Sequence, residues 1–431
     1  MPASPRRKSC SFNIDLFVRT LSTTKNILII QDVDGVCMRL VKDPIARTIQ
    51  LDYLIATQVF NSHFYVLTNG EHVGVQGLNS IVDRALNAGF VAEELLNHIV
   101  SRPEYIYLPG LAAGGIQWQD RDGRAFHPGV SNAELAFLER VPKLMKDWLR
   151  SFLAQHSTIL GDVASLEPYV TSSVLDNRVA PSINLNNFYE LLSQNPNVFR
   201  DLQKRLQMHL RELINQASTK GLENAFFIHY TPNFGKDNRN RDVICYSRPG
   251  NPGTTDFQFM LCGALKEAGV LALLNHYYFQ QAGYHPLGAD STVRQAPSSL
   301  DSLLQLATAH FDPDVMPTIV GIGDTITSHI SEGQIQRGGS DRNFLQLIQN
   351  LNSRFEKDNL IVYVDSSGDG LKNRQSLRIQ DNGHTQFILE GINNVRDPLM
   401  TNVVFAGGYS QYCSTFVAAA KRRKATSSNI P

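Results

Sequence analysis

Five short apolar segments recur along the chain, separated by longer blocks of mixed composition. Each is rich in aliphatic or aromatic residues and is bounded by polar or turn residues, which is typical of a strand buried on both faces of a sheet. Helical spacing of apolar positions over 51–60 and 78–86 follows the first two segments. This alternation predicts an α/β fold with a Rossmann-like parallel sheet as its core. The predicted strands are 26–30, 63–67, 318–322, 360–364 and 403–405.

Two carboxylates, Asp32 and Asp34, directly follow the first predicted strand, and Gly35 permits a sharp turn there. Residues two apart on an extended backbone point to the same side. Like charges held that close are unfavourable unless a proton or a metal ion separates them. A hard cation such as Mg²⁺ binds carboxylate oxygens and keeps coordination positions for a phosphate. The alternative interpretation is an ordinary Asp-x-Asp-Gly turn after a strand.

Polar residues also follow the second and third predicted strands. Thr68 and Asn69 end the second, and Asp324 ends the third. Ligands of open parallel sheets bind at the carboxyl ends of the strands. We therefore expect Asp32, Asp34, Thr68, Asn69 and Asp324 to converge at one edge of the sheet.

The interval between residues 68 and 324 is too long for one strand–helix unit, so it predicts a large insertion. Long amphipathic helices are predicted over 140–155 and 188–217, and strands over 224–230 and 242–246. These elements predict an inserted α+β cap domain over 140–255. The catalytic core would then comprise 1–139 and 256–431, with a helix over 257–279 and a disordered tail after 420.

Composition excludes several classes of protein. Among 431 residues, 40 Lys and Arg balance 40 Asp and Glu, so no global field favours nucleic acid or an anionic membrane. The 5 cysteines are scattered, which argues against a disulfide framework or a zinc site. No apolar run approaches the roughly 18 residues of a membrane span. These features predict a cytoplasmic protein that binds neither nucleic acid nor membrane.

The order Asp-x-Asp-Gly, Leu-Thr-Asn, Gly-Asp-Thr resembles that of the haloacid-dehalogenase-like superfamily of aspartyl phosphatases. Segments 28–38, 63–72 and 248–257 are also similar to the cyanobacterial glucosylglycerol-phosphate phosphatases, a family linked to salt tolerance. This resemblance implies an Mg²⁺-dependent hydrolase that converts glucosylglycerol 3-phosphate to glucosylglycerol during compatible-solute synthesis. Its partners would be that small substrate and, as a candidate, the cognate synthase. A phosphatase for trehalose or sucrose phosphate, and a non-catalytic phosphosugar-binding regulator, remain alternatives.

The resemblance also implies the role of each site residue. Asp32 would attack phosphorus and form an aspartyl-phosphate, while Asp34 would act as general acid and then as general base. Thr68 and Asn69 would donate hydrogen bonds to the phosphoryl group. Mg²⁺ would be held by Asp32, by the backbone carbonyl of Asp34 and by Asp324.

Two expected features of that superfamily are missing from their usual places. No acid stands four or five residues after Asp324, so a hydroxyl or a water would complete the metal shell. The motif lysine is also absent near residue 252. Lys266 is predicted to lie at the wrong end of its helix, which leaves Arg248 or Lys236 as candidate cations. The polar loop 337–341 is predicted near the sheet edge, with a functional and a structural role equally open.

Overall fold

The computed structural model describes most of the chain. The described residues are 13–88, 106–161, 163–237, 241–326, 329–331, 334–336, 338–371, 378–381, 386–390 and 397–428.

The strands are numbered here in chain order. They are β1 (Ile27–Gln31), β2 (Phe64–Leu67), β3 (Gly110–Ala112), β4 (Gln117–Gln119), β5 (Ala125–Phe126), β6 (Val174–Leu175), β7 (Ser182–Asn184), β8 (Phe226–Thr231), β9 (Asn233–Lys236), β10 (Asp242–Ile244), β11 (Asp256–Leu261), β12 (Thr318–Gly323), β13 (His329–Ser331), β14 (Gln334–Gln336), β15 (Leu360–Val364), β16 (Arg378–Asp381), β17 (Gln386–Glu390) and β18 (Val403–Phe405).

The α-helices are numbered in the same way. They are α1 (Ile14–Thr23), α2 (Leu51–Gln58), α3 (Leu78–Ala88), α4 (Asn132–Leu138), α5 (Val141–Gln155), α6 (Ser157–Leu160), α7 (Glu167–Ser173), α8 (Asn186–Leu191), α9 (Pro196–Ser218), α10 (Lys266–Ala282), α11 (Leu300–His310), α12 (Arg342–Phe355) and α13 (Gly408–Ser428).

An eight-stranded sheet in the order β18-β15-β12-β1-β2-β3-β4-β5 forms the centre of the fold. The strands from β18 to β3 are parallel, and β4 and β5 add an antiparallel edge. All five predicted strands lie in this sheet, which confirms the α/β prediction. Along β1, Ile27 and Ile29 enter one apolar cluster, and Leu28 and Ile30 enter another on the opposite face. Helices cover both faces, as a parallel sheet requires.

A second sheet, antiparallel and in the order β6-β7-β11-β8, lies between the two parts of the core in sequence. Its apolar side chains join those of α5 and α9 in a separate cluster that includes Ile183, Phe257 and Phe259. The helices predicted over 140–155 and 188–217 are therefore present as α5 and as α8 with α9. The helix predicted over 257–279 is wrong at its start, because 256–261 form strand β11 and the helix begins only at Lys266.

The C-terminal segment also corrects a prediction. Instead of becoming disordered after residue 420, the chain continues α13 to Ser428. Arg423 anchors this end, because its guanidinium donates hydrogen bonds to the carbonyl oxygens of Leu21 and Thr24, at 2.9 and 2.7 Å. None of the helices in the described part of the chain has the length and apolar character needed to cross a bilayer.

Candidate active site

The structure brings the five predicted site residues to one place. Asp32, Asp34, Thr68, Asn69 and Asp324 all line a cavity of about 160 Å³ at the carboxyl ends of β1, β2 and β12. This is the sheet edge at which the strand pattern predicted a ligand site. Residues of the small antiparallel sheet, among them Asn184, Asp256 and Gln258, also line this cavity.

The turn after β1 sets the position of the first two acids. The backbone N–H of Asp32 donates to the carbonyl of Ile322 at 2.9 Å, which extends the pairing with β12 beyond the strand. Gly35 then adopts a φ of +80°, and a Cβ at this position would lie 2.2 Å from Oδ2 of Asp324. A larger residue would therefore displace the carboxylate of Asp324, which is a second reason for glycine besides the turn itself.

Three buried carboxylates, Asp32, Asp324 and Asp341, lie close together, and the first two line the cavity. One oxygen of each lies within 4.8 Å of the others. The ammonium of Lys266 lies 3.0 Å from Oδ2 of Asp32 and 2.7 Å from Oδ1 of Asp341. With every group ionised, the cluster would carry three negative charges against one positive charge.

The pKa values reflect this imbalance. Burial raises the pKa of Asp32 well above its usual range, and the neighbouring carboxylates of Asp341 and Asp324 act in the same direction. Burial also acts to raise the pKa of Asp341, but Lys266 and two backbone N–H groups outweigh it and leave that pKa low. For Lys266 itself, the two carboxylates outweigh burial and raise the pKa. The ammonium form is therefore strongly favoured.

Lys266 corrects the sequence interpretation, which placed it at the wrong end of its helix. It is the first residue of α10, since the preceding segment is a strand and a turn. Its side chain is 3% exposed and points at the nucleophile candidate. Of the two alternatives named from the sequence, Arg248 stacks over the ring of Phe234, 5.9 Å from its centre. The side chain of Lys236 lies outside the described residues.

Asp341 is the second acid that sequence spacing failed to find. Its Oδ2 accepts hydrogen bonds from the backbone N–H groups of Asp324 and Thr325, at 2.9 and 3.0 Å. Its other oxygen accepts from Lys266. Asp341 therefore holds both the lysine and the loop that follows β12. The signal was the acid at the end of the polar loop 337–341, of which Arg337 lies outside the described residues.

Hydroxyl groups orient Asp324. The hydroxyl of Thr325 donates to Oδ1 at 2.8 Å, and the hydroxyl of Ser366 donates to Oδ2 at 2.7 Å. The sequence left a hydroxyl or a water to complete the metal shell, and this stays a prediction. In the structure these two hydroxyls fix the rotamer of the carboxylate, as groups around a metal ligand commonly do.

Asp34 occupies a different environment from Asp32. Its side chain is 32% exposed, and its Oδ2 lies 3.3 Å from the guanidinium of Arg47. Arg47 also donates to the backbone carbonyl of Gln76, which holds it at the cavity rim. A pair of acids in contrasting surroundings is the arrangement expected when one attacks and the other transfers protons.

Thr68 supplies a polar group at the end of β2. Its backbone N–H bonds to the carbonyl of Leu111 at 2.9 Å, so this N–H serves the sheet. Its hydroxyl oxygen accepts from the N–H of Gly70 at 3.2 Å. A hydroxyl that accepts in this way keeps its own proton for donation to a ligand. Asn69, next in the chain, also lines the cavity.

The wall opposite the acids is made of neutral polar side chains and one further carboxyl. Burial raises the pKa of that carboxyl, Asp256, to about 6. Amides and hydroxyls present both donors and acceptors, which suits a ligand with several hydroxyl groups. The residues of this wall are Asn177, Ser182, Asn184, Asn186, Thr231, Thr255, Asp256 and Gln258.

A buried carboxylate joins this wall to the catalytic loops. Glu71 accepts hydrogen bonds from the backbone N–H groups of Val179 and Ala180 at 2.6 and 2.7 Å. Its second oxygen accepts from the N–H of Arg178 at 3.0 Å and from the side-chain amide of Gln117 at 3.3 Å. The loop after β2 is therefore tied directly to the loop that precedes β7.

Residues 26–420 match the sequence model of one family, the glucosylglycerol-phosphate phosphatases. A glucosylglycerol-phosphate phosphatase of Synechocystis sp. is 48% identical over 422 residues, which cover 96% of this chain and 97% of that protein. The match therefore includes both the segments that carry Asp32, Thr68 and Asp324 and the small antiparallel sheet.

Two solved structures are similar at much lower identity. A trehalose-6-phosphate phosphatase of Aspergillus fumigatus is 10% identical with a TM-score of 0.38, covering 96% of this chain and 99% of that one. The C-terminal domain of a trehalose-6-phosphate phosphatase of C. albicans is 10% identical with a TM-score of 0.44, with the same coverages.

Proposed function

Because the chain belongs to the glucosylglycerol-phosphate phosphatase family, and is therefore a phosphatase, we propose that it hydrolyses glucosylglycerol 3-phosphate to glucosylglycerol and phosphate. The observation that carries this proposal is the pairing of Asp32 with Lys266 in a buried acidic cluster beneath a wall of neutral polar groups. The first part suits a phosphoryl group and the second suits a polyhydroxylated alcohol. A cognate synthase as partner and a cytoplasmic location stay predictions.

In the proposed mechanism, an oxygen of Asp32 attacks phosphorus in line as the bond to the glycerol oxygen breaks. Asp34 gives its proton to the departing alkoxide. Asp34 then removes a proton from water, which attacks the aspartyl-phosphate and releases phosphate with Asp32 restored. Lys266 balances the charge that Asp32 and the phosphoryl oxygens bring together. Thr68 and Asn69 donate hydrogen bonds to those oxygens.

The acidic cluster also fits a divalent cation. Its excess of two negative charges is buried, which is costly unless a cation or protons compensate it. Asp32, Asp324 and the backbone carbonyl of Asp34 would hold Mg²⁺, since hard oxygen ligands suit this ion. Asp341 accepts hydrogen bonds from Lys266 and from two backbone N–H groups, and unlike Asp32 and Asp324 it does not line the cavity, so we assign it to Lys266 rather than to the metal. When bound, Mg²⁺ would neutralise charge between the nucleophile and the phosphate.

Removal of divalent metal is expected to abolish phosphate release, and Mg²⁺ should restore it better than Ca²⁺. The larger and looser coordination shell of Ca²⁺ suits in-line transfer poorly. The measurement is phosphate release after chelation and after titration with each ion. An Asp324→Asn variant should need a higher Mg²⁺ concentration for half-maximal rate. Full activity in excess chelator would contradict the proposed metal site.

We further propose that the small sheet and the helices around it form a cap domain over the catalytic edge. The predicted cap covered 140–255. Since β11 pairs with β7 and β8, we extend its second boundary to Leu261. The core would then resume in the turn that leads to α10. The hydrogen bonds of Glu71 support close contact between the two parts.

A non-catalytic regulator on the same fold loses its support. Such a regulator would be favoured if no lysine lay beside the nucleophile candidate, and the sequence shows none near residue 252. Lys266 occupies the place where that charge is required, within 3.0 Å of Asp32. A pure binding protein would also have no need of Asp34, which contributes acid–base chemistry rather than affinity.

Replacement of Asp34 by asparagine should distinguish good from poor leaving groups. A glycerol oxygen leaves poorly without a proton, whereas a nitrophenolate leaves readily. We expect kcat for glucosylglycerol 3-phosphate to fall by about 10²–10⁴-fold and kcat for nitrophenyl phosphate to fall much less. Steady-state kinetics with both esters make this comparison. Equal losses would assign Asp34 a positioning or metal-holding role instead.

A further inference from the structure

The small sheet has one polar face formed by two rows of side chains. Gln258 of β11 is paired with Ser182 on one side and with His229 on the other. The next row on the same face comprises Asn184, Asp256 and Thr231. Because side chains alternate along strands, all six point away from the apolar cluster, which lies on the opposite face of this sheet. This polar face is turned toward the catalytic edge.

Gln258 carries an acceptor without a partner among the described residues. Its amide nitrogen donates to Oδ2 of Asp256 at 2.6 Å. An ionised carboxylate accepts only, so this contact fixes which end of the amide faces Asp256. The amide oxygen of Gln258 is then turned elsewhere, and it is buried with no hydrogen bond from the described part of the chain.

His229, the cross-strand neighbour of Gln258, also has a buried ring nitrogen without a partner among the described residues. Its Nδ1 contacts Oδ2 of Asp242, whose side chain is 3% exposed. This carboxylate orients the ring and, in the neutral tautomer that carries its proton on Nδ1, accepts that proton in a hydrogen bond. Nε2 is then an acceptor, and it too is buried without a partner in the described ranges. Two neighbouring acceptors on one face thus lack donors.

The two side chains line adjoining cavities. Gln258 lines the reaction cavity, and His229 lines a second one of about 320 Å³. Both cavities are bordered by Asn69 and Lys266, so they meet at the phosphoryl site. A group that satisfies both acceptors must bring hydrogen-bond donors. A phosphate dianion has none, whereas the hydroxyl groups of a sugar supply them.

We propose that Gln258 and His229 form a hydroxyl-binding subsite that receives the glucosyl part of the substrate and contributes to its selection. This inference rests on the proposed function, which it deepens by naming the groups that recognise the sugar. A site built to accept from substrate hydroxyls rejects analogues that lack them, because its buried acceptors are then left unpaired. Asp242 and Asp256 act through these two side chains as positioning residues.

The test compares Gln258→Leu with the wild-type enzyme on two substrates. We expect kcat/KM for glucosylglycerol 3-phosphate to fall at least about tenfold. The value for nitrophenyl phosphate, which has no sugar hydroxyls, should stay within about twofold. Gln207→Leu is the matched control, since Gln207 is a buried cap glutamine bonded to Tyr230 and Tyr246. It should leave the ratio of the two kcat/KM values unchanged.

Deoxy analogues of the substrate provide a second measurement, which does not require Gln258→Leu to fold. Substrate analogues that each lack one glucosyl hydroxyl are tested with the wild-type enzyme and with His229→Gln. One analogue should lose at least about tenfold in kcat/KM with the wild type and distinctly less with the variant. Equal losses for every analogue, or an unchanged substrate ratio in Gln258→Leu, would overturn the subsite. A wild-type enzyme that hydrolyses the nitrophenyl ester but not glucosylglycerol 3-phosphate would overturn the proposed function first, and with it this subsite.

Discussion

Asp32→Asn is expected to lower kcat by at least about 10⁴-fold, because it removes the attacking oxygen and a proposed metal ligand together. The change preserves the shape of the side chain, so the loop after β1 should keep its hydrogen bond to Ile322. Phosphate release from glucosylglycerol 3-phosphate measures the effect. Asp52→Asn is the matched control, since Asp52 is exposed in the first turn of α2 and lies away from the cavity.

The residual activity of Asp32→Asn distinguishes a nucleophilic role of Asp32 from a role as general base alone. If Asp32 were only a general base, its loss would cost about 10²–10⁴-fold, which is the usual range of acid–base catalysis. Activity above about a tenth of the wild-type value would therefore exclude the aspartyl-phosphate route. With the wild-type enzyme, rapid quenching during turnover should trap phosphate on Asp32, and the variant should trap none.

Lys266→Met should lower both activity and stability. The lysine is the cation that contacts both Asp32 and Asp341, and its removal leaves buried carboxylates without that partner. Breaking a buried ion pair typically costs about 3–5 kcal/mol of unfolding free energy. We expect kcat to fall by about 10²–10³-fold, as when one group that stabilises transition-state charge is lost. Thermal unfolding and steady-state kinetics measure the two effects separately.

A double variant separates the structural role of Lys266 from its role in catalysis. In Lys266→Met with Asp341→Asn, one unpaired charge is removed along with the lysine. We expect part of the lost stability to return, while kcat stays low because no ammonium faces the phosphoryl site. Recovery of full activity together with stability would show that Lys266 serves only to hold the fold.

Five parallel strands of the large sheet could be predicted from the sequence because they are buried on both faces. Such strands appear as continuous apolar runs, and polar residues immediately after them mark the functional edge. This is why the sequence alone predicts that Asp32, Thr68 and Asp324 lie together. The parallel arrangement also required these three strand ends to lie on the same side.

The sequence placed Lys266 wrongly because a strand pattern and a helix pattern follow each other closely in this part of the chain. Residues 256–259 alternate polar and apolar positions. From residue 260 the positions are mostly apolar, and this apolar stretch continues through the turn that leads to α10. If residues 257–279 formed a single helix, Lys266 would lie well beyond the start of that helix and away from the site. The alternation of Asp256, Phe257, Gln258 and Phe259 was a signal for a strand.

Asp341 and the polar face of the small sheet could not be derived from spacing. Asp341 follows Asp324 through a loop, so its distance in sequence has no fixed relation to its distance in space. The polar face is made by strands far apart in the chain, and β7 has only three residues. A pattern that short does not define a strand. Only the register between β7, β8 and β11 brings Ser182, Gln258 and His229 into one row.

The most direct test of the account is kcat/KM for glucosylglycerol 3-phosphate compared with trehalose 6-phosphate and sucrose phosphate, in the presence of Mg²⁺. All three esters offer the same phosphoryl group to Asp32 and Lys266, so any difference arises from the groups around the leaving alcohol. We expect a preference for glucosylglycerol 3-phosphate of at least about tenfold over either disaccharide phosphate. An equal or higher value for a disaccharide phosphate would contradict the proposed substrate.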